Sequence, residues 1–114
     1  MEKNKERSTL TDVHAATTFR EHFSSLADAI AQPDLPNKLA SELYSKSLVS
    51  RALRDAVHYT RGITLSDKAL MILKAIEAAI QLEPLQLNHF LDVLRTVEPT
   101  LNPLVKTIRH RLSK

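Results

Sequence analysis

Apolar residues return along this chain at steps of three and four, the spacing of one face of an α-helix, in six successive segments. The first predicted helix covers Thr17 to Ala31, with Phe19, Phe23, Leu26 and Ile30 on one stripe, Ala27 and Ala29 beside it, and Arg20, Glu21, Ser24 and Asp28 on the other side. Gln32-Pro33-Asp34 stops it, because proline lacks a backbone donor and disfavours helical geometry in the residue before it. The second helix is expected to start near Asp34, placed to cap its free N–H groups, with Pro36 in the first turn. Its stripe is Leu35, Leu39 and Leu43 with Tyr44 alongside, and Ser45-Lys46-Ser47 breaks the pattern. A short third segment follows with Leu48, Val49, Leu53, Ala56 and Val57, Ser50 as its cap and Arg61-Gly62 as its end, since glycine accepts the left-handed terminal conformation cheaply.

The fourth helix has the clearest start. Thr64-Leu65-Ser66-Asp67 matches a capping box, with Ser66 as the alternative cap. Leu65, Ala69, Leu70, Ile72, Leu73, Ile76, Ala79 and Ile80 form a stripe wide enough to predict a central helix covered on more than one side, with Lys68, Lys74 and Glu77 on its wet edge. Glu83-Pro84 ends it and opens a fifth helix, with Pro84 in the first turn, whose core stripe is Leu87, Phe90, Leu91 and Leu94. After Glu98-Pro99-Thr100 a sixth opens at Asn102-Pro103, read as a cap followed by a first-turn proline, and runs through Leu104, Val105, Ile108 and Leu112. Lys106, Arg109, Arg111 and Lys114 suit the negative end of its dipole. The connections are short, so one bundle of antiparallel or steeply crossed neighbours is expected.

Composition agrees. Hydrophobic residues are 43 % and charged residues 25 % of 114, an ordinary balance for one globular domain. One glycine and no tryptophan favour helix over a turn-rich β-sandwich. No cysteine is present, which excludes disulfides, thiolate zinc sites and cysteine nucleophiles, and is compatible with the cytoplasmic location expected here. No apolar run reaches the roughly 20 residues of a membrane span. MEKNKERSTL carries charges without a following apolar segment, so residues 1–14 read as a flexible polar leader and 15–114 as the domain.

Several stretches resemble a caspase-recruitment domain of the death-fold superfamily. Leu39 to Ser50 is similar to that family's second-helix leucines, a small break, and the apolar pair opening helix three. Ser66-Asp-Lys-Ala-Leu-Met-Ile-Leu73 is similar to its fourth helix, and Pro84 with Phe90, Leu91 and Leu94 to its fifth; Leu104, Val105 and Ile108 fit the sixth. The resemblance covers Thr17 to Leu112 and rests on hydrophobic spacing, which death and death-effector domains share in part. It implies an all-α, six-helix antiparallel bundle of death-fold, Greek-key type. It further implies an adaptor in apoptotic or innate-immune signalling that is not an enzyme and has no cofactor. Its partner would be another death-fold domain or a copy of itself, in oligomers or filaments, met through complementary charged surfaces.

Candidate contact residues come from this chain alone. Arg51, Arg54, His58 and Arg61 share a face if the third helix stays regular, and with Lys46 they make a positive surface for an acidic partner, arginine being suited to bidentate carboxylate contacts. Residues 38–61 hold five bases and two acids, a balance of +3, whereas Asp67 to Glu98 holds five acids and three bases, a balance of −2. Glu77, Glu83 and Asp92 are therefore the acidic candidates, and opposite signs on separate surfaces permit head-to-tail association. The alternative is a small basic nucleic-acid-binding domain, with the second and third helices as a helix-turn-helix presenting Arg51, Arg54 and His58; the net charge of +3 and the few aromatics make nucleic acid the weaker expectation. The five histidines show no metal-ligand spacing, and no nucleophile elbow, phosphate loop or carboxylate pair is visible. His89 is expected to pack partly beside Phe90, and Tyr44, Tyr59, Ser45 and Ser47 to be exposed.

Overall fold

The first predicted helix is divided at His22. In the structure, a computed structural model that describes residues 14–112, helix α1 covers 14–21 and α2 covers Phe23–Ile30. The His22 ring Nδ1 lies 2.9 Å from the Thr18 carbonyl, the acceptor its own backbone N–H needs, and that N–H is shared between Thr18 and Phe19 at 3.2 Å each. A side chain competing for the i−4 carbonyl loosens the turn, and His22 takes φ −105°, ψ 7°. Residues 1–13 of the expected leader lie outside the described residues, and residue 14 is already helical.

The remaining helices are α3 (Leu35–Ser45), α4 (Arg51–Tyr59), α5 (Leu65–Leu82), α6 (Gln86–Val97) and α7 (Asn102–Leu112), with a 3₁₀ turn over Pro99–Leu101. The described residues thus form an all-α chain of seven α-helices, not six, and contain no strand. Two caps behave as expected. Ser50 Oγ accepts from the Leu53 N–H at 3.1 Å, and Thr64 with Asp67 completes the capping box at 3.0 and 3.1 Å. Two do not. Asp34 adopts a left-handed φ of 68°, which turns its carboxylate off the helix axis, so only its carbonyl serves α3, accepting from Lys38 at 3.1 Å. Asn102 is helical itself, at φ −55°, because the 3₁₀ turn feeds α7 directly. Pro84 also falls in the turn ahead of α6 and not in its first turn.

The break after α3 is a Schellman turn. Leu48 N–H reaches the Leu43 carbonyl at 2.8 Å and Ser47 N–H reaches Tyr44 at 3.0 Å, with Ser47 at φ 62°. Glycine holds that position at lower cost than any residue with a Cβ. Ser47→Gly is expected to raise stability by about 0.5–1 kcal/mol, read from the urea midpoint; an unchanged or lower midpoint would show that serine is not strained there.

α5 is the hub, packing against α2, α3, α4 and α6. Ile72, Leu73 and Ile76 are wholly buried at that junction, Leu39 and Leu43 enter from α3, Leu87, Phe90, Leu91 and Leu94 from α6, and Leu26 and Ile30 from α2. α7 lies on α6 through Val105 and Ile108. His14 Nε2, 2.7 Å from the Arg111 carbonyl, and the Arg111–Glu21 ion pair at 2.5 Å clasp α1 to the end of α7. No helix among the described residues is long and apolar enough to cross a membrane.

Candidate protein-interaction surface

Cap and burial together orient α4. Ser50 fixes its start, Val57 is fully buried, and Arg51, Ala52 and Tyr59 are left facing outward. Arg51 lies 3.8 Å from Asp55, one turn along, and Arg54 bonds the same carboxylate at 2.8 Å. The hydrogen-bonded Asp55 carboxylate raises the Arg54 pKa above its already high ordinary value. The Arg54 guanidinium also sits 4.6 Å from the centre of the Tyr44 ring, a cation–π contact that joins α4 to the end of α3. Tyr59 is 75 % exposed.

Two members of the expected basic face leave it. α4 ends at Tyr59 because Thr60 is extended at φ −71°, ψ 124°, so exposed Arg61 stands in the loop, beyond helical register with Arg51 and Arg54. His58 is half-buried, its Nε2 lying 2.9 Å from Ser41 Oγ and 3.1 Å from the Asn37 carbonyl. The surface the structure assembles is therefore Arg51, Arg54, Tyr44 and Tyr59, with Arg61 beyond it.

The acidic candidates are scattered. Glu77 on α5 pairs with Arg20 of α1 at 3.6 Å. Asp92 on α6 is bonded by Arg109 of α7 and lies 3.5 Å from Arg95. The hydrogen bond from Arg109 is the largest cause holding the Asp92 carboxyl below the usual carboxylate range. Glu83 lies exposed at the α5–α6 corner, its Oε1 accepting only a long 3.4 Å bond from the Leu85 N–H. Lys46, from the basic stretch, lines one hollow with Asp92, from the acidic stretch. Charge separated along the sequence is thus mixed on the surface. His89 is exposed and bonded to Gln86 Oε1 at 3.2 Å, outside the buried stripe of α6, which runs through Leu87, Phe90, Leu91 and Leu94.

A groove between α3 and α6 had not been anticipated. Its larger part, about 560 Å³, is bordered by Lys38, Ser41, Glu42, His58, Thr96 and Val97. It continues past Glu42 and Thr96 to a smaller hollow of about 270 Å³ at Lys46, Asp92 and Val93. The four-residue spacing of Lys38, Glu42 and Lys46 was its only signal in the sequence. Among the described residues no group of three or more histidines and carboxylates could hold a metal ion. No family model, curated protein or solved structure matches this chain.

Proposed function

We propose that this chain is a non-enzymatic interaction module of the death-fold, caspase-recruitment kind, which associates with a like domain or with itself in apoptotic or innate-immune signalling. The observation that carries the reading is the side of α4 where exposed Arg51 and Tyr59 lie with half-buried Arg54, whose guanidinium sits over the Tyr44 ring of α3. Tyrosine and arginine are the residue types that anchor protein contacts, because they offer large area and directed donors at modest loss of freedom. The arginines leave donors beyond those that Asp55 takes, which suits a partner surface carrying carboxylates. The helical resemblance and the all-α chain support the choice of a homotypic partner.

The nucleic-acid alternative loses support at the same place. His58 is half-buried and faces Ser41 and Asn37, so one of the three residues of a reading helix is already engaged.

The test is capture of fluorescently labelled chain by immobilised chain, beside a short DNA duplex as the competing probe. The double variant Arg51→Glu/Arg54→Glu is expected to weaken self-capture at least about fivefold with helix content intact, and the effect to shrink in high salt. Capture unaffected by the double variant, or tight and salt-steep binding of the duplex in place of the chain, would overturn the reading.

A further inference from the structure

The α5–α6 corner carries the two exposed leucines among the described residues: Leu82 is 89 % and Leu85 58 % exposed, with Glu83 and Pro84 between them. Leu85 lies one helical turn, about 6 Å along the axis, ahead of His89 on the α6 stripe that continues to Asp92. That stripe walls a hollow of about 340 Å³ lined by Lys46, Leu48, His89, Asp92 and Val93. An apolar protrusion therefore stands one helical turn from a recess of mixed polar and apolar lining. Asp92 in the recess is already bonded by Arg109; the recess also holds a cation, Lys46, and the protrusion an anion, Glu83. Neither makes an ion pair among the described residues, in contrast to Glu77, Asp92, Arg51 and Arg54.

We propose that this face joins two copies of the chain about a two-fold axis. The Leu82–Leu85 corner of each copy enters the Leu48–Val93 hollow of the other, and Glu83 of each meets Lys46 of the other. The inference deepens the association proposed above and rests on it. Position decides the symmetry. When protrusion and recess lie side by side, docking the first into its counterpart brings the second pair together as well, so the contact is self-complementary and closes at two copies; on opposite poles they would generate an open chain. Removal of the leucines from water drives the contact, and the paired charges set its register.

Sedimentation equilibrium of the full chain over a concentration series, at about 50 mM salt to keep exposed charges unscreened, tests this. In the Arg51→Glu/Arg54→Glu background, which removes the α4 contact, the expected result is a monomer–dimer equilibrium with a limiting mass of two copies. Lys46→Glu and Glu83→Lys should each weaken the dimer at least about tenfold, because every substitution enters a two-fold contact twice. The double variant Lys46→Glu/Glu83→Lys should return the affinity to within about threefold of the parent, since it restores both pairs with signs exchanged. Leu85→Asp should leave a monomer of unchanged helix content. A chain monomeric at every concentration, a limiting mass above two copies, or a dimer indifferent to the three single variants would overturn the proposal. Self-capture lost in Arg51→Glu/Arg54→Glu but kept in the Lys46 and Glu83 variants would reject this face while the α4 reading stands.

Discussion

Phe90→Ala is expected to lower the stability of this domain by about 3–5 kcal/mol, the range for removing a buried aromatic side chain where the surroundings close only partly. Phe90 has no exposed surface, and its ring stands edge-on to Phe19 at 6.4 Å between centroids, with Phe19 edge-on in turn to Phe23 at 5.8 Å. The three rings tie α6 to α1 and to α2 on either side of the His22 break, so little can move in to fill the space. Against a total of about 5–15 kcal/mol for a single domain, the loss is a large fraction. At roughly 4 °C per kcal/mol it lowers Tm by about 12–20 °C. Urea and thermal melts would read it, with Leu85→Ala, on the exposed corner, as a control expected within about 0.5 kcal/mol of the parent. A Phe90→Ala loss below about 1 kcal/mol would mean that α6 does not place this ring in the shared interior.

That the ring lies inside was legible in the sequence, and so was most of the all-α character. Helical stripes repeat within one turn, so Leu87, Phe90, Leu91 and Leu94 declare their face without reference to any other part of the chain. The same holds for caps that reach only three residues, as Ser50 and Thr64 do. The break at His22 was not legible, because it depends on which rotamer brings Nδ1 to the Thr18 carbonyl. Asp34 failed as a cap for a similar reason: its residue type suits the role, but its left-handed backbone does not present the carboxylate.

The candidate interaction surface was harder to read because charge patterns along a chain say little about pairing across it. Arg111 finds Glu21 at a separation of 90 residues, and Arg109 finds Asp92 at 17. Asp92 therefore left the free acidic set, and Glu77 left it for Arg20. Counting bases and acids by segment also placed Lys46 with the arginines, although the fold sets it against α6. Of the expected basic face, Arg51 stands exposed on α4 and Arg54 half-buried beside it. What was missed was Tyr44 joining them, since the cation–π contact links the end of α3 to α4 through space. The face built by tertiary packing is thus richer in aromatic surface and poorer in net charge than the linear reading implied, which shifts the expected binding energy from long-range attraction toward close contact.

Thr18→Val is expected to raise stability by about 1–3 kcal/mol. Thr18 is 1 % exposed on α1, beside the wholly buried Phe19, and its Oγ1 is buried without a hydrogen-bond partner among the described residues. A hydroxyl taken out of water without compensation costs free energy of that order, and valine removes it while keeping the branched shape that fills the site. In a helix a threonine hydroxyl can normally bond a carbonyl one turn back; here the Thr18 hydroxyl does not, and its own carbonyl is occupied by His22 through both ring and backbone. The gain should appear as a higher urea midpoint at unchanged slope, because only the interior polarity changes. Thr18→Ser separates the alternatives. It keeps the hydroxyl and loses the methyl, so it should fall below the parent while Thr18→Val rises above it. If valine instead lowers the midpoint, the hydroxyl has a partner in solution that stabilises α1, and the polar position in this interior is structural in its own right.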